Sequence, residues 1–221
     1  NILESSKHLN VDQVIITSTS EVYGSAQYVP IDEKHPFSAQ SPYSASKISA
    51  DQLALGYWNS FKLPIKIIRP FNIYGPRQSS RAVIPSIIIQ ALYSKNEIKL
   101  GNVKSSRDFT YVSDTCNAFL DILKLKNIFG STLNVGSNNE YTIEDIAKKV
   151  LAKVNSKASI KQEERRVRSK KSEVLRLVCD NSKILKCTNW EPKIKIEKGL
   201  DKTIAWFKDF KDFFKHKIYH V

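Results

Sequence analysis

Two short apolar runs flank a helix-forming segment, and that order leaves few folds open. Val14 to Ile16 reads as a buried strand, Val14–Thr17, that closes on Ser18-Thr19-Ser20-Glu21-Val22-Tyr23-Gly24. Residues 25–40, rich in Pro, Asp and Ser, read as a loop. Ser41 can cap a helix whose first position suits Pro42. Ile48, Leu55 and Trp58 recur in it at helical spacing, as far as about Phe61. Pro64 ends the connection, and Ile65, Ile67 and Ile68 give a second buried strand. Strand, helix and strand in this order form a right-handed crossover unit and predict a parallel sheet. Tyr43 and Lys47 share one face of the helix, because they stand four residues apart. Hydroxyls and a carboxylate at a strand end, with a tyrosine and an ammonium on the adjoining helix, can move protons.

The second strand runs into Arg69-Pro70-Phe71-Asn72-Ile73-Tyr74-Gly75-Pro76-Arg77. Polar groups thus gather at its carboxyl end, where open α/β sheets bind ligands. Val83 to Leu92 reads as an apolar helix with Pro85 in its first turn, and Ile98 to Leu100 with Gly101 as a strand and turn. Arg107 to Val112 is extended, and Ser113 caps a helix in which Cys116, Phe119, Leu120 and Leu123 form one stripe. Leu133, Val135 and Gly136 make a strand and turn. Thr142 caps a helix with the stripe Ile143, Ile146, Ala147, Val150, Leu151 and Val154. Residues 157–172 are charged and read as a surface loop, Val174 to Val178 as a strand, and Asp180 to Leu185 as a turn of helix. Leu200, Ile204 and Phe207 mark the last amphipathic helix, and Lys208 to Val221 is a tail mixing Lys with Phe and Tyr.

A chain of 221 residues can bury a sizeable core, and its 41% hydrophobic content is that of an ordinary soluble globular protein. No run of about 18 apolar residues occurs, so no membrane span is expected. Methionine is absent even at residue 1, and Asn1 enters what reads as the middle of a helix. A missing natural N-terminus is the expectation. Cys116, Cys179 and Cys187 form no CxxC pair and suggest neither a disulfide framework nor a zinc site, which fits a reducing, cytoplasmic setting. His8, His35, His216 and His220 show no ligand spacing, so no metal is expected and all four read as surface residues. The net charge of +13 raises the question of nucleic acid. No RNA-binding aromatic signature accompanies it, and a Lys-rich composition with a site for an anionic ligand is the reading adopted.

Ser-Thr-Ser-Glu-Val-Tyr-Gly, Tyr43-x-x-x-Lys47 and Arg69-Pro-x-Asn-x-Tyr-Gly-Pro-Arg77 follow one another, then Arg107-Asp108-Phe109-Thr110-Tyr111-Val112-Ser113-Asp114 and Asn134-Val135-Gly136. This series resembles the extended short-chain dehydrogenase/reductases. Within them it is similar to the NAD-dependent nucleotide-sugar epimerases and dehydratases, over nearly the whole chain to about Phe207. The resemblance implies a Rossmann-type doubly wound parallel sheet plus a smaller α/β substrate domain. Residues 1–77 would be the back half of the NAD-binding domain, with return segments near 108–136. Residues 78–107 and 137–210 would form the substrate domain, and 211–221 a tail. The family's glycine-rich dinucleotide turn is missing, since none of the seven glycines forms GxxGxxG after a strand.

The resemblance makes Tyr43 the base at the sugar 4-hydroxyl, with Lys47 as its cation. A phenol with a pKa of about 10 is a poor base at neutral pH unless a nearby cation favours the phenolate. Thr19 would bond the sugar 4-oxygen. Ser18, Pro70 and Ile73 would join Tyr43 and Lys47 against NAD. Asn72, Arg107 and Arg168 would hold the diphosphate, Glu173 the ribose hydroxyls, and Ile84, Pro85 and Leu100 the base.

Glu21 selects the reaction. A 4-epimerase needs no C5 proton removed, whereas a 4,6-dehydratase needs a carboxylate base for it. Ser20 stands where many dehydratases have an aspartate, as in the GDP-mannose 4,6-dehydratase type. It could relay a proton through water, or Glu21 could serve as both base and acid. UDP-glucuronate decarboxylases share Thr-Ser-Glu, but they resemble Tyr-Asp-Glu-Gly-Lys where this chain reads Tyr43-Ser44-Ala45-Ser46-Lys47. The segments around Ser79–Pro85 and Ser172–Lys183 look most like UDP-N-acetylglucosamine 4,6-dehydratases of the legionaminic-acid type. The expected activity is therefore an NAD-dependent 4,6-dehydratase on UDP-N-acetylglucosamine. The alternatives are a UDP-sugar 4-epimerase, a UDP-glucuronate decarboxylase, or a non-catalytic nucleotide- or RNA-binding protein. A homodimer through the helices flanking the tyrosine is expected, with Ile48 and Leu55 either there or in the core.

Overall fold

The computed structural model describes residues 1–167, 169, 172–210 and 213–214. In chain order the elements begin with α1 (Ile2–His8), β1 (Val14–Thr17), a 3-10 turn (Ser20–Tyr23), α2 (Pro42–Phe61), β2 (Ile65–Pro70) and β3 (Ile73–Tyr74). Next come α3 (Val83–Tyr93), β4 (Glu97–Leu100), β5 (Ser106–Asp108), β6 (Thr110–Tyr111) and α4 (Val112–Lys124). The rest are β7 (Ser131–Val135), β8 (Glu140–Thr142), α5 (Ile143–Lys153), β9 (Ser159–Gln162), a second 3-10 turn (Glu164–Arg166), β10 (Arg176–Leu177), α6 (Ser182–Cys187) and α7 (Ile196–Asp209).

The main sheet has the order β1-β2-β7, all parallel. Every residue of the central β2 is buried, and its side chains alternate between the two faces. Ile65 and Ile67 pack with Leu3, Ala54 and Leu63 beneath α1 and α2, while Ile68 packs with Ala118, Ile122, Ile184 and Trp190 beneath α4 and α6. Lys66 lies on that second face, 0% exposed. Its ammonium donates to Gln13 Oε1 (2.8 Å) and to the carbonyls of Ile122 (2.8 Å) and Leu123 (3.3 Å) in the last turn of α4. A cation there complements the helix C-terminus, and burial lowers the lysine's pKa.

Helix α2 starts where its sequence dictates. The Ser41 hydroxyl accepts from Ser44 N (3.1 Å), and the Ser44 hydroxyl accepts from Ser41 N (3.0 Å), a reciprocal cap ahead of Pro42. A second, smaller α/β unit is built on α3, α5 and α7 with the pair β4–β9. Its core includes Ile84, Ile87, Ile88, Ile98, Ile146, Val150, Leu200, Ile204 and Phe207. Between the two, β5 pairs with β10 and β8, and β3 with β6. The fold is thus a Rossmann-like α/β sheet with a smaller α/β unit attached.

Several expectations are corrected. Ser113 does not cap α4: the cap position is Tyr111, without a side-chain bond. The buried face of that helix is Asp114, Thr115, Ala118 and Ile122, while Cys116, Leu120 and Leu123 are exposed. Asp114 is buried because its carboxylate accepts from Ile194 N and its carbonyl from the Trp190 indole. Residues 157–172 are not all loop, since Ser159–Gln162 pairs with β4. Strand β10 is shorter than the expected 174–178. His35 is 2% exposed: Nε2 accepts from Gln27 N, and Nδ1 bonds the Pro36 carbonyl. Ile48 and Leu55 are half-buried against the core, and the exposed apolar residue of α2's middle is Leu53. His216, His220 and most of the tail lie outside the described residues. No helix among the described residues is long and apolar enough to cross a membrane, and no His/Cys/Asp/Glu group there could hold a metal ion.

Candidate functional site

The carboxyl ends of β1 and β2 open onto a cleft of about 360 Å³. Its walls come from the 3-10 turn after β1, the segment after β2, the start of α3, the turn after β4, and β5. Seven of the residues singled out above line it: Glu21, Asn72, Ile73, Ile84, Leu100, Arg107 and Glu173. A carboxylate, an asparagine and an arginine therefore share one space with an apolar floor at Ile84 and Leu100.

The turn that presents Glu21 is set by its neighbours. Thr19 is its cap, with Oγ1 accepting from Glu21 N at 3.2 Å, which leaves the hydroxyl hydrogen to donate. Ser20 is 2% exposed and does not line the cleft, whereas Glu21 does. Tyr23 ends the turn inside the protein, and burial pushes its phenol up to about 12. Tyr43 is 50% exposed on the first turn of α2. One turn on, Lys47 Nζ donates to the Thr17 carbonyl at 3.0 Å, so the ammonium sits at the end of β1. The structure thus brings Lys47 beside the strand end, while Tyr43 and Lys47 lie outside the cleft lining.

The remaining expected residues divide. Ser18 is buried, its hydroxyl donates to Asp51 Oδ2 (2.9 Å) and its N–H to the Ile68 carbonyl (2.7 Å), so both of its donors are used within the fold. Pro70 is buried in β2, and Pro85 is buried in α3 away from the cleft lining. Arg107 Nη1 donates to the Ser106 carbonyl (2.8 Å). The Glu173 carbonyl accepts from Ser25 Oγ (3.2 Å), which ties this segment to the loop before α2. Arg168 lies outside the described residues.

Sequence reasoning missed Gln78, Lys99, Asn102 and Arg166, which also line the cleft. Gln78 Nε2 donates to the Ile73 carbonyl (2.7 Å), which fixes the amide, and its Oε1 is buried without a partner. Asn72 Oδ1 is likewise buried and unpartnered. Both oxygens belong to residues of the cleft wall but lie beneath its surface. A Cβ on Gly101 would collide with the Arg166 carbonyl oxygen, so only glycine lets that backbone approach, but nothing in the sequence pairs the two positions.

The arrangement places a carboxylate, an asparagine and an arginine around one space, with the Lys47 ammonium at the adjoining strand end and Tyr43 exposed one turn before it on α2.

Known proteins share this sequence and fold. The human dTDP-D-glucose 4,6-dehydratase is 31% identical over 213 residues, covering 95% of this chain and 60% of the human protein. The Escherichia coli dTDP-glucose 4,6-dehydratase is 31% identical over 216 residues, 90% of this chain and 59% of that protein. The chain spans about three-fifths of the length of these relatives. Among solved structures, dTDP-glucose 4,6-dehydratase from Bacillus anthracis in complex with NAD superposes with a TM-score of 0.86 at 29% identity, covering 97% of this chain and 67% of that one. UDP-glucuronic acid 4-epimerase from Bacillus cereus, in complex with UDP-glucuronic acid and NAD, gives 0.87 at 29% identity, covering 95% and 65%. The profile of the GDP-mannose 4,6 dehydratase family matches residues 1–203, and the chain belongs to that family of nucleotide-sugar dehydratases and epimerases.

Proposed function

We propose that the complete gene product is an NAD-dependent nucleotide-sugar 4,6-dehydratase acting on UDP-N-acetylglucosamine. The observation that carries this reading is Glu21, a carboxylate lining the same cleft as Asn72 and Arg107. NAD is carried over from the relatives solved with it. When bound, it supplies the acceptor and later the donor of a hydride.

This chain's own residues account for the protons. Tyr43 takes the proton of the sugar 4-hydroxyl as that carbon is oxidised, and Thr19 donates its hydroxyl hydrogen to the 4-oxygen. The 4-keto group acidifies C5, and Glu21 removes the proton there. The cleft wall carries Glu21 while Ser20 is buried, which favours Glu21 also passing that proton to the 6-hydroxyl, which departs as water; a proton drawn from solvent then returns to C5 through Glu21 as C6 is reduced. Lys47 holds the ribose beside the end of β1. Asn72 and Arg107 bind the diphosphate, Glu173 the nucleoside ribose, and Ile84 with Leu100 the base. Arg168 is proposed as a second phosphate ligand.

The test is to incubate the complete gene product with NAD and UDP-N-acetylglucosamine in deuterated water. A 4-keto-6-deoxy product with deuterium at C5, lost in Glu21→Gln, is expected. Turnover confined to dTDP-glucose or GDP-mannose would keep the reaction and reject the substrate. A C4 epimer without a 6-deoxy sugar would select an epimerase, and carbon dioxide from UDP-glucuronate a decarboxylase.

A further inference from the structure

We propose that the buried Asp51–Arg69 pair is a positioning device that fixes both halves of the proton-moving site relative to each other. The proposal rests on the dehydratase reading above. Neither residue lines the cleft, and their side chains are 0% and 2% exposed. Two hydrogen bonds converge on the single oxygen Asp51 Oδ2, from Arg69 Nε (2.9 Å) and Ser18 Oγ (2.9 Å), and Arg69 Nη2 lies in ion-pair contact with the same oxygen (2.9 Å).

The position of the pair in the fold gives it this role. Asp51 stands one turn beyond Lys47, which stands one turn beyond Tyr43, all on α2. Lys47 grips the Thr17 carbonyl and Asp51 grips the Ser18 hydroxyl, so two successive turns of α2 clasp two consecutive residues at the end of β1. Thr19 follows directly. The other end of the guanidinium reaches the second half of the site. Arg69 Nη1 donates to Tyr23 Oη (2.8 Å), and Tyr23 closes the 3-10 turn that carries Ser20 and Glu21. Tyr23 Oη in turn donates to Asn134 Oδ1 (2.7 Å) on β7. The guanidinium also lies 5.1 Å from the Tyr23 ring centre and 4.7 Å from that of Phe37. A planar fork that both donates and stacks can hold two elements in fixed orientation, which an ammonium cannot.

Apolar contacts hold α2 along its length: Ala54, Leu55 and Tyr57 meet Leu3, Leu63, Ile65 and Ile67, and nearer its start Ile48 packs on the cluster of Val22, Tyr23 and Phe71. Such contacts are non-directional and tolerate small slides. Hydrogen bonds that converge on one oxygen are directional and do not.

Removing one partner strands the other charge, so Asp51→Asn can unfold the protein. The informative variant is the double replacement Asp51→Leu/Arg69→Met, because buried pairs replaced by apolar side chains commonly keep their stability. In the complete gene product we expect wild-type melting, substrate KM within a few-fold of wild type, and kcat lower by about 10²-fold, the usual cost of an ångström of misplacement. Faster amide hydrogen exchange at residues 20–23 and 45–48 should accompany it. Wild-type kcat and exchange in the double variant would overturn the proposal. Melting as low as that of Asp51→Asn would overturn it too, since the pair would then serve only stability. If wild-type protein turned over no nucleotide sugar, the dehydratase reading would fall, and the exchange measurement alone would judge the pair.

Discussion

Glycine-to-alanine replacement at Gly56 and at Gly199 should shift stability in opposite directions. Both residues lie inside helices, α2 and α7, where alanine gains about 1 kcal/mol over glycine. A Cβ at Gly56 meets nothing within 4 Å, so the propensity gain stands alone. For a chain of this size it should raise Tm by about 2–4 °C. A Cβ at Gly199 would lie 1.9 Å from Tyr74 Oη, 2.7 Å from Cζ and 3.0 Å from Tyr111 Cδ2. Tyr74 cannot swing away, being 1% exposed with its ring set edge-on against Phe109 and Tyr111. Moving it also breaks the bond from its hydroxyl to the Ile196 carbonyl. Overpacking costs about 1–3 kcal/mol and the lost hydrogen bond about 1, against the propensity gain of about 1. The net is about 2 kcal/mol of destabilisation, or roughly 4–8 °C. Thermal melts of the two variants beside the parent decide the matter. Shifts of the same sign would refute the reasoning, because the packing against Tyr74 and Tyr111 is what sets Gly199 apart from the open site at Gly56.

Two further outcomes are expected. Leu53 is 58% exposed on α2, and Ile2, Leu9 and Phe61 are also exposed on α1, at its end and at the end of α2. If copies pair through these helices, Leu53→Asp in the complete gene product should sediment at half the parent's mass with unchanged melting; equal masses would remove this face as the contact. Arg176 holds Glu140 through a two-pronged pair (2.6 and 2.7 Å), which lowers the carboxyl's pKa. A lowered folded pKa gives stability that is present above the ordinary glutamate value of about 4.3 and is lost as pH falls through the lower folded value. Glu140→Gln should therefore cost up to about 1 kcal/mol at pH 7 for so exposed a pair, and the difference should fade below pH of about 4. Melting curves across pH 3–7 would show a constant gap if the pair contributed nothing through its charge.

Where local chemistry decides an element, the sequence is readable. Ser41 and Pro42 start α2, and the apolar run at Val14 makes β1, because each signal is complete within a few residues. Where a distant partner decides, it is not. Asp114 looks like a surface residue of α4 until Ile194 N, 80 positions away, is found donating to it. That burial turns the helix so that Leu120 and Leu123 face out. Ser159–Gln162 offers one well-placed apolar residue, Ile160, and becomes a strand by pairing with β4. In the cleft, motif residues such as Asn72 and Arg107 were legible, whereas Gln78 and Arg166 were not, because they reach the cleft through backbone contacts that no short pattern encodes.

Strand β2 carries two cations, and they lie on opposite sides of the sheet: Lys66 toward α4 and Arg69 toward α2. A slip of one residue against β1 or β7 would exchange the faces and separate both cations from their acceptors. A slip of two would restore the faces but move each cation about 6.6 Å along the strand. Either misalignment buries two unsatisfied charges, at several kcal/mol apiece. The strand therefore proofreads its own alignment as the chain folds. A hydrophobic β2 of equal burial would be as sticky and far less discriminating.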